Sequence, residues 1–141
     1  MGVWDLIHPK IVAVSQKLFE DGHYANAAED AFVEINDRVK KLFMKVNPTA
    51  SKIPDGHTAM NMVFSDNAPL VEFCDRSTET GSNIQKGYMQ MLAGAMSALR
   101  NPKAHANITI TKDDAMRRLM FASMLMYKID EAIDYSKIQE R

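Results

Sequence analysis

Apolar residues recur along most of this chain at the three-and-four spacing that brings them to one side of a helix, and no stretch alternates as a half-buried strand would. Ile11, Val14, Leu18 and Phe19 form a first stripe between His8 and Asp21, with Pro9 acceptable in the first turn and Gly22 a natural C-terminal stop. A second stripe runs through Ala28, Ala31, Phe32, Ile35, Val39, Leu42 and Val46, from Tyr24 to the breaker Asn47-Pro48. The link between these two helices is so short that they are expected to pack as an antiparallel hairpin. Tyr88, Met91, Leu92, Ala95, Met96 and Leu99 mark a third helix from Asn83 to about Leu99. Thr111 reads as the N-cap of a fourth, with Asp113 and Asp114 in its first turn and Ala115, Leu119, Ala122, Leu125, Met126, Ile129 and Ile133 as its apolar face. It ends near Tyr135.

The connection 47–81 is less regular. Residues Asn47 to Gly56 have loop composition, Thr58 to Phe64 predicts a short helix, Leu70 to Cys74 is too short for periodicity to type, and Arg76 to Gly81 reads as a polar loop. Gly87 and Gly94 inside the third helix cost about 1 kcal/mol each relative to alanine, so they predict close approach by another backbone. Four long helices with short additional ones in the 47–81 connection give an all-α bundle, read as a single domain over 1–141.

Composition narrows the classes. With 46% hydrophobic and 25% charged residues and a formal net charge of −1, the chain is suited to a packed core and has no global attraction for nucleic acid. Its one cysteine, Cys74, excludes an intramolecular disulfide and fits a packed thiol in a reducing interior. There is neither a secretory pattern near Met1 nor an apolar run approaching the roughly 20 residues that cross a bilayer, so a cytoplasmic protein is expected. Eleven methionines include Met60, Met89, Met91, Met96, Met116, Met120, Met124 and Met126 on or beside the stripes. Core packing is their first reading, with Met116-Met120-Met124 and Met89-Met96 also suited to a subunit interface.

The histidines His8, His23, His57 and His105 are scattered, without H-x-x-x-H, H-E-x-x-H or Cys-x-x-Cys, so no metal site and no cofactor is expected. His8 and His57 read as solvated loop residues and His23 as a polar residue at a helix start. Glycine-rich phosphate loops are absent, which disfavours P-loop hydrolysis and dinucleotide binding, and neither Ser97 nor Cys74 has a recognisable activating context.

One stretch does carry chemistry. The third helix runs into Leu99-Arg100-Asn101-Pro102-Lys103-Ala104-His105, where Pro102 lacks an amide donor and disfavours helical geometry at Asn101. A permanent cation and a side chain titrating near neutrality therefore share one short segment. Arginine's planar fork holds two phosphate oxygens, and imidazole takes or returns a proton. Taken without further context, the same residues also fit a structural reading in which Arg100 caps helix carbonyls and His105 fixes the following loop.

Arg100 and His105, with the polar Asn101 directly after the arginine, resemble the R-x(4-6)-H motif of the HEPN superfamily. Together with Phe19-Glu20-Asp21-Gly22-His23-Tyr24, Gly94-Ala95-Met96 and Phe121-Ala122-Ser123-Met124-Leu125, they are similar to its Ymh-type subfamily, associated with abortive infection. The resemblance spans nearly the whole chain. It implies a HEPN-like bundle of antiparallel helices and a metal-independent endoribonuclease, with Arg100, Asn101 and His105 catalytic. The RNA 2′-hydroxyl would attack the adjacent phosphorus to leave a 2′,3′-cyclic phosphate, and a homodimer would present two Arg100–His105 turns to a shared cleft. The alternative is a non-catalytic, dimeric module that binds RNA or a nucleotide. Ymh-like proteins can carry sequence before this domain, so Met1-Gly2-Val3 fits either a natural start or a domain boundary.

Lys103 is the expected helper on an RNA phosphate, because its backbone is already at the motif. Arg38, Lys40, Lys41 and Lys45 make a basic strip late in the second helix, and Lys112, Arg117 and Arg118 lie on the fourth. These are solubilising charges by default and RNA contacts if they surround the turn. Glu29, Asp30, Glu34 and Asp37 read as a solvated face, with Glu34, beside the apolar stripe, the candidate acidic helper.

Overall fold

The computed structural model describes residues 1–100 and 109–140. Within them the chain is helical, with no strand among the described residues: a 3-10 turn Val3–Asp5 is followed by α1 Pro9–Glu20, α2 Tyr24–Val46, α3 Gly56–Val63, α4 Glu79–Ala98 and α5 Lys112–Ser136. The four long helices and the short one inside the 47–81 connection are those the apolar spacing predicts. Asn101, Lys103 and His105 lie outside the described residues.

Local chemistry sets the boundaries. Gly22, at φ +88°, turns the chain out of α1, and α2 then packs extensively along α1. Thr111 caps α5 by accepting from the Asp114 amide at 3.0 Å. α4 starts one turn earlier than its apolar spacing predicts, because the Thr78 hydroxyl accepts from the Gly81 amide at 3.0 Å and Glu79 complements the helix dipole. At Gly81 a β-carbon would sit 1.8 Å from the Asp75 carbonyl oxygen. The glycine forced by close backbone approach is therefore this one. Gly87 and Gly94 have no neighbour within 4 Å of a built β-carbon, and Gly94 is exposed, which corrects the expectation of helix contacts there.

α2 is the central helix and contacts each of the other four. Its buried face of Ala27, Ala28, Ala31, Phe32, Ile35, Val39, Leu42 and Phe43 joins Leu119, Leu125, Met126 and Ile129 of α5 in one core. The methionines divide: Met60, Met96 and Met126 are buried, while Met62, Met91, Met120 and Met124 are exposed. Residues 65–78 contain no regular element, yet this segment is anchored. The fully buried Gln85 donates from Nε2 to the Phe64 and Val71 carbonyls at 3.0 and 3.2 Å, and its Oε1 accepts from the Phe73 amide at 2.9 Å. Phe73 stacks on Phe64 with ring centroids 4.7 Å apart.

Candidate functional site

Arg100 follows directly on the end of α4, where the Leu99 amide bonds back to the Ala95 carbonyl at 2.8 Å and the Arg100 amide reaches the same oxygen at 3.1 Å. Among the described residues, its guanidinium hydrogen bonds all go to Asp55 in the α2–α3 connection. Nη1 lies 3.4 and 3.3 Å from the two carboxylate oxygens, and Nη2 lies 3.4 Å from Oδ2. This is a fork on a carboxylate, with the planar geometry that also suits a phosphate. The opposite edge is different, for Nε is buried without a partner among the described residues.

Asp55 is held from beneath. Asn36, buried on α2, donates from its amide to Asp55 Oδ1 at 2.8 Å, while its own Oδ1 accepts from the Gly56 amide at 2.9 Å. One side chain thus fixes both the carboxylate and the turn that carries it. Lys40, one helical turn further along α2, places Nζ 3.3 Å from Asp55 Oδ1. The Asn36 hydrogen bond, with smaller help from Lys40 and Arg100, holds the Asp55 carboxyl below its ordinary pKa against a modest opposing effect of burial. The carboxylate is ionised at neutral pH.

Gly56 completes the seat. Its φ of +58° is left-handed, and a β-carbon built there would stand 2.8 Å from Arg100 Nη2. Residues 36, 40, 55, 56 and 100 thus converge from three parts of the chain.

The family assignment follows from the match over this whole framework. A sequence model whose description is protein of unknown function (Hypoth_ymh) matches residues 5–129. The chain belongs to the Hypoth_ymh family. No curated protein matches it, and no solved structure does.

In this Hypoth_ymh chain, the acidic partner of Arg100 is Asp55, which the helical pattern does not single out. Glu34 lines a different cleft of about 200 Å³ with Lys10, Asp37, Arg38, Lys41, Lys45 and Glu140. The signal for the true partner is faint: a lone Asn36 beside the apolar stripe of α2, and an Asp-Gly pair in a proline-containing loop.

Two further expectations are corrected in the same chain. His8 is buried and is the N-cap of α1, its Nδ1 accepting from the Lys10 amide at 3.0 Å and its Nε2 lying 2.8 Å from Asp130 Oδ2. Its own amide donates to the Ser123 hydroxyl at 2.8 Å. Arg38, read as surface charge, is buried, with Nη2 2.7 Å from Asp130 Oδ1 and 3.0 Å from Glu140 Oε1, and Nε 3.0 Å from Glu140 Oε2. This network ties α1, α2, α5 and the last residues together. His57 and His23 are exposed at the starts of α3 and α2. Cys74 is half-buried, its thiol 3.6 Å from the Gly81 carbonyl.

Among the described residues, no group of three or more His, Cys, Asp or Glu side chains converges as metal ligands. None of the described helices is long and apolar enough to cross a membrane.

Proposed function

We propose that this Hypoth_ymh protein is a metal-independent endoribonuclease of the HEPN type, its reaction carried by the Arg100–His105 motif. The observation that supports this reading most is the aim of Arg100. A capping arginine would turn its fork back onto the last carbonyls of α4. This one extends across to the α2–α3 connection, where its guanidinium stands beside a second cation, Lys40, with about a quarter of the side chain open to solvent.

In the proposed reaction the 2′-hydroxyl oxygen forms a bond to the adjacent phosphorus as the bond to the 5′-oxygen breaks, leaving a 2′,3′-cyclic phosphate and a 5′-hydroxyl. Arg100 stabilises the charge that builds on the non-bridging oxygens. Proton removal from the 2′-hydroxyl and proton delivery to the 5′-oxygen need a base and an acid, and each chain brings one motif histidine, His105. A homodimer that faces two motifs across a cleft supplies both. Asn101 and Lys103 belong to the same sequence motif, as polar partner and phosphate contact. Cleavage of cellular or phage RNA by such an enzyme would serve as a toxin or abortive-infection effector.

The test is incubation of the purified protein with end-labelled single-stranded RNA in excess EDTA, with analysis of the new ends. Cyclic phosphate and 5′-hydroxyl ends are expected. RNA retained without cleavage would replace the enzyme with a dimeric binding module, and neither outcome would return the motif to a structural role.

A further inference from the structure

We propose that Lys40 is a second phosphate-binding residue of the Arg100 site, and that Asp55 is the positioning residue that holds the two cations in register for one RNA phosphodiester. The proposal rests on the reading of Arg100 as the phosphate-holding residue and adds residues that no motif supplies. Its basis is convergence: Lys40 from α2 and Arg100 from the end of α4 meet on one carboxylate, with Lys40 Nζ 3.3 Å from Oδ1 and Arg100 Nη1 3.4 and 3.3 Å from Oδ1 and Oδ2.

Charge balance supports it. Two cations share one anion, leaving one positive charge for a phosphodiester to neutralise, and no other carboxylate pairs with either cation among the described residues. Access supports it too, because both cations and Asp55 keep part of their side chains in solvent. Asp55 itself cannot swing freely. Buried Asn36 grips its Oδ1 at 2.8 Å and the following amide at 2.9 Å, so the carboxylate is a fixed point against which Arg100 and Lys40 are placed. A phosphate arriving on the open side takes up their remaining donors while Asp55 keeps the geometry.

The roles separate by experiment. Binding of a 2′-O-methyl oligoribonucleotide, which has no attacking hydroxyl, is measured across a salt series for wild type, Lys40→Ala, Lys40→Arg and Arg100→Ala. Loss of one phosphate contact lowers the slope of log affinity against log salt by about 0.7 on a single strand. Lys40→Ala and Arg100→Ala are each expected to lose about that much, with Lys40→Arg keeping the wild-type slope. A Lys40→Ala slope equal to wild type, beside a reduced slope for Arg100→Ala, overturns the Lys40 assignment and leaves the Arg100 reading standing.

For Asp55→Asn, removing a negative charge should leave oligonucleotide affinity equal or raise it, while kcat on cleavable RNA falls at least about tenfold because Arg100 is no longer aligned. Affinity and kcat falling together, or kcat unchanged, overturns the positioning role. Absence of cleavage by wild type, with both slopes still reduced, removes the enzyme reading and preserves the two-cation phosphate site. Unchanged slopes for both alanine variants remove both.

Discussion

The guanidinium of Arg100 lies against Gly56 with so little room that a β-carbon on the glycine would stand 2.8 Å from Nη2. The same glycine has φ +58°, where an L side chain costs roughly 1–2 kcal/mol. Gly56→Ala is therefore expected to lose about that much stability in urea denaturation and to displace Arg100 from Asp55. Stability equal to wild type would mean that neither constraint acts at this turn.

Two other glycines should respond in opposite directions. At Gly81 an added methyl meets the Asp75 carbonyl, a backbone atom 1.8 Å away, so Gly81→Ala must push apart the start of α4 and the preceding loop. Gly94 is exposed in mid-helix with open space around it, and Gly94→Ala should stabilise by up to about 1 kcal/mol. Thermal denaturation of the pair decides it. A gain from Gly81→Ala or a loss from Gly94→Ala would contradict the packing described.

The His8–Asp130–Arg38–Glu140 network should be unequal in its parts. The Asp130 and Glu140 side chains are equally exposed, but Asp130 serves both the buried His8 and the buried Arg38, while Glu140 serves Arg38 alone. Replacing Asp130 with alanine is expected to cost about 1–3 kcal/mol, because it removes a partner from two buried groups, and Glu140→Gln less than about 1 kcal/mol, because the amide still accepts from Arg38. Equal losses in a denaturant titration would show that the second contact of Asp130, to His8, adds nothing to stability.

Acid should weaken the fold through Glu140 and Asp55. The hydrogen bond and charge of Arg38 hold the Glu140 carboxyl below its ordinary range, and Asn36 does so for Asp55. A lowered folded-state pKa gives stability that is complete above the unfolded value of about 4 and is lost as pH falls through the lower folded one. Denaturation midpoints should thus drop below about pH 4, and the drop should be shallower in Glu140→Gln. An identical acid limb in that variant would leave its pairing without weight.

For the proposed reaction, His105→Ala should abolish cleavage while RNA still binds, since proton transfer is worth typically about 10²–10⁴-fold in rate. Arg100→Ala should lose affinity and rate together. Activity in wild type should follow a bell-shaped pH profile, because one His105 must be neutral while the other is protonated. A folded, dimeric His105→Ala protein as active as wild type would sink the mechanism.

The helices were legible because their evidence is local: the stripe of α2, the Gly22 stop and the Thr111 cap each lie within a few residues of what they determine. The site was legible only as far as the Arg100 segment. Asp55 lies 45 positions from Arg100, and Asn36 lies 19 from Asp55, so nothing in either neighbourhood announces the contact. His8 misled for the same reason, for its partners Ser123 and Asp130 come from 115 and 122 positions away. The glycines misled differently. Gly87 and Gly94 stand out by interrupting a helix, whereas Gly81 hides in loop-like composition while its neighbour's carbonyl leaves no room for a side chain.

Gln85 has a consequence for how the molecule opens. Its three hydrogen bonds replace the repeating ladder that residues 65–78 lack, so the Phe73 amide is shielded by a side chain of α4 rather than by its own neighbours. Hydrogen exchange at Phe73 should then keep pace with the interior of α4, the two opening as one cooperative unit. The end of that unit is Arg100. Any fluctuation that lifts α4 away withdraws the Arg100 guanidinium from Asp55 and unravels the Phe64–Phe73 connection in the same event.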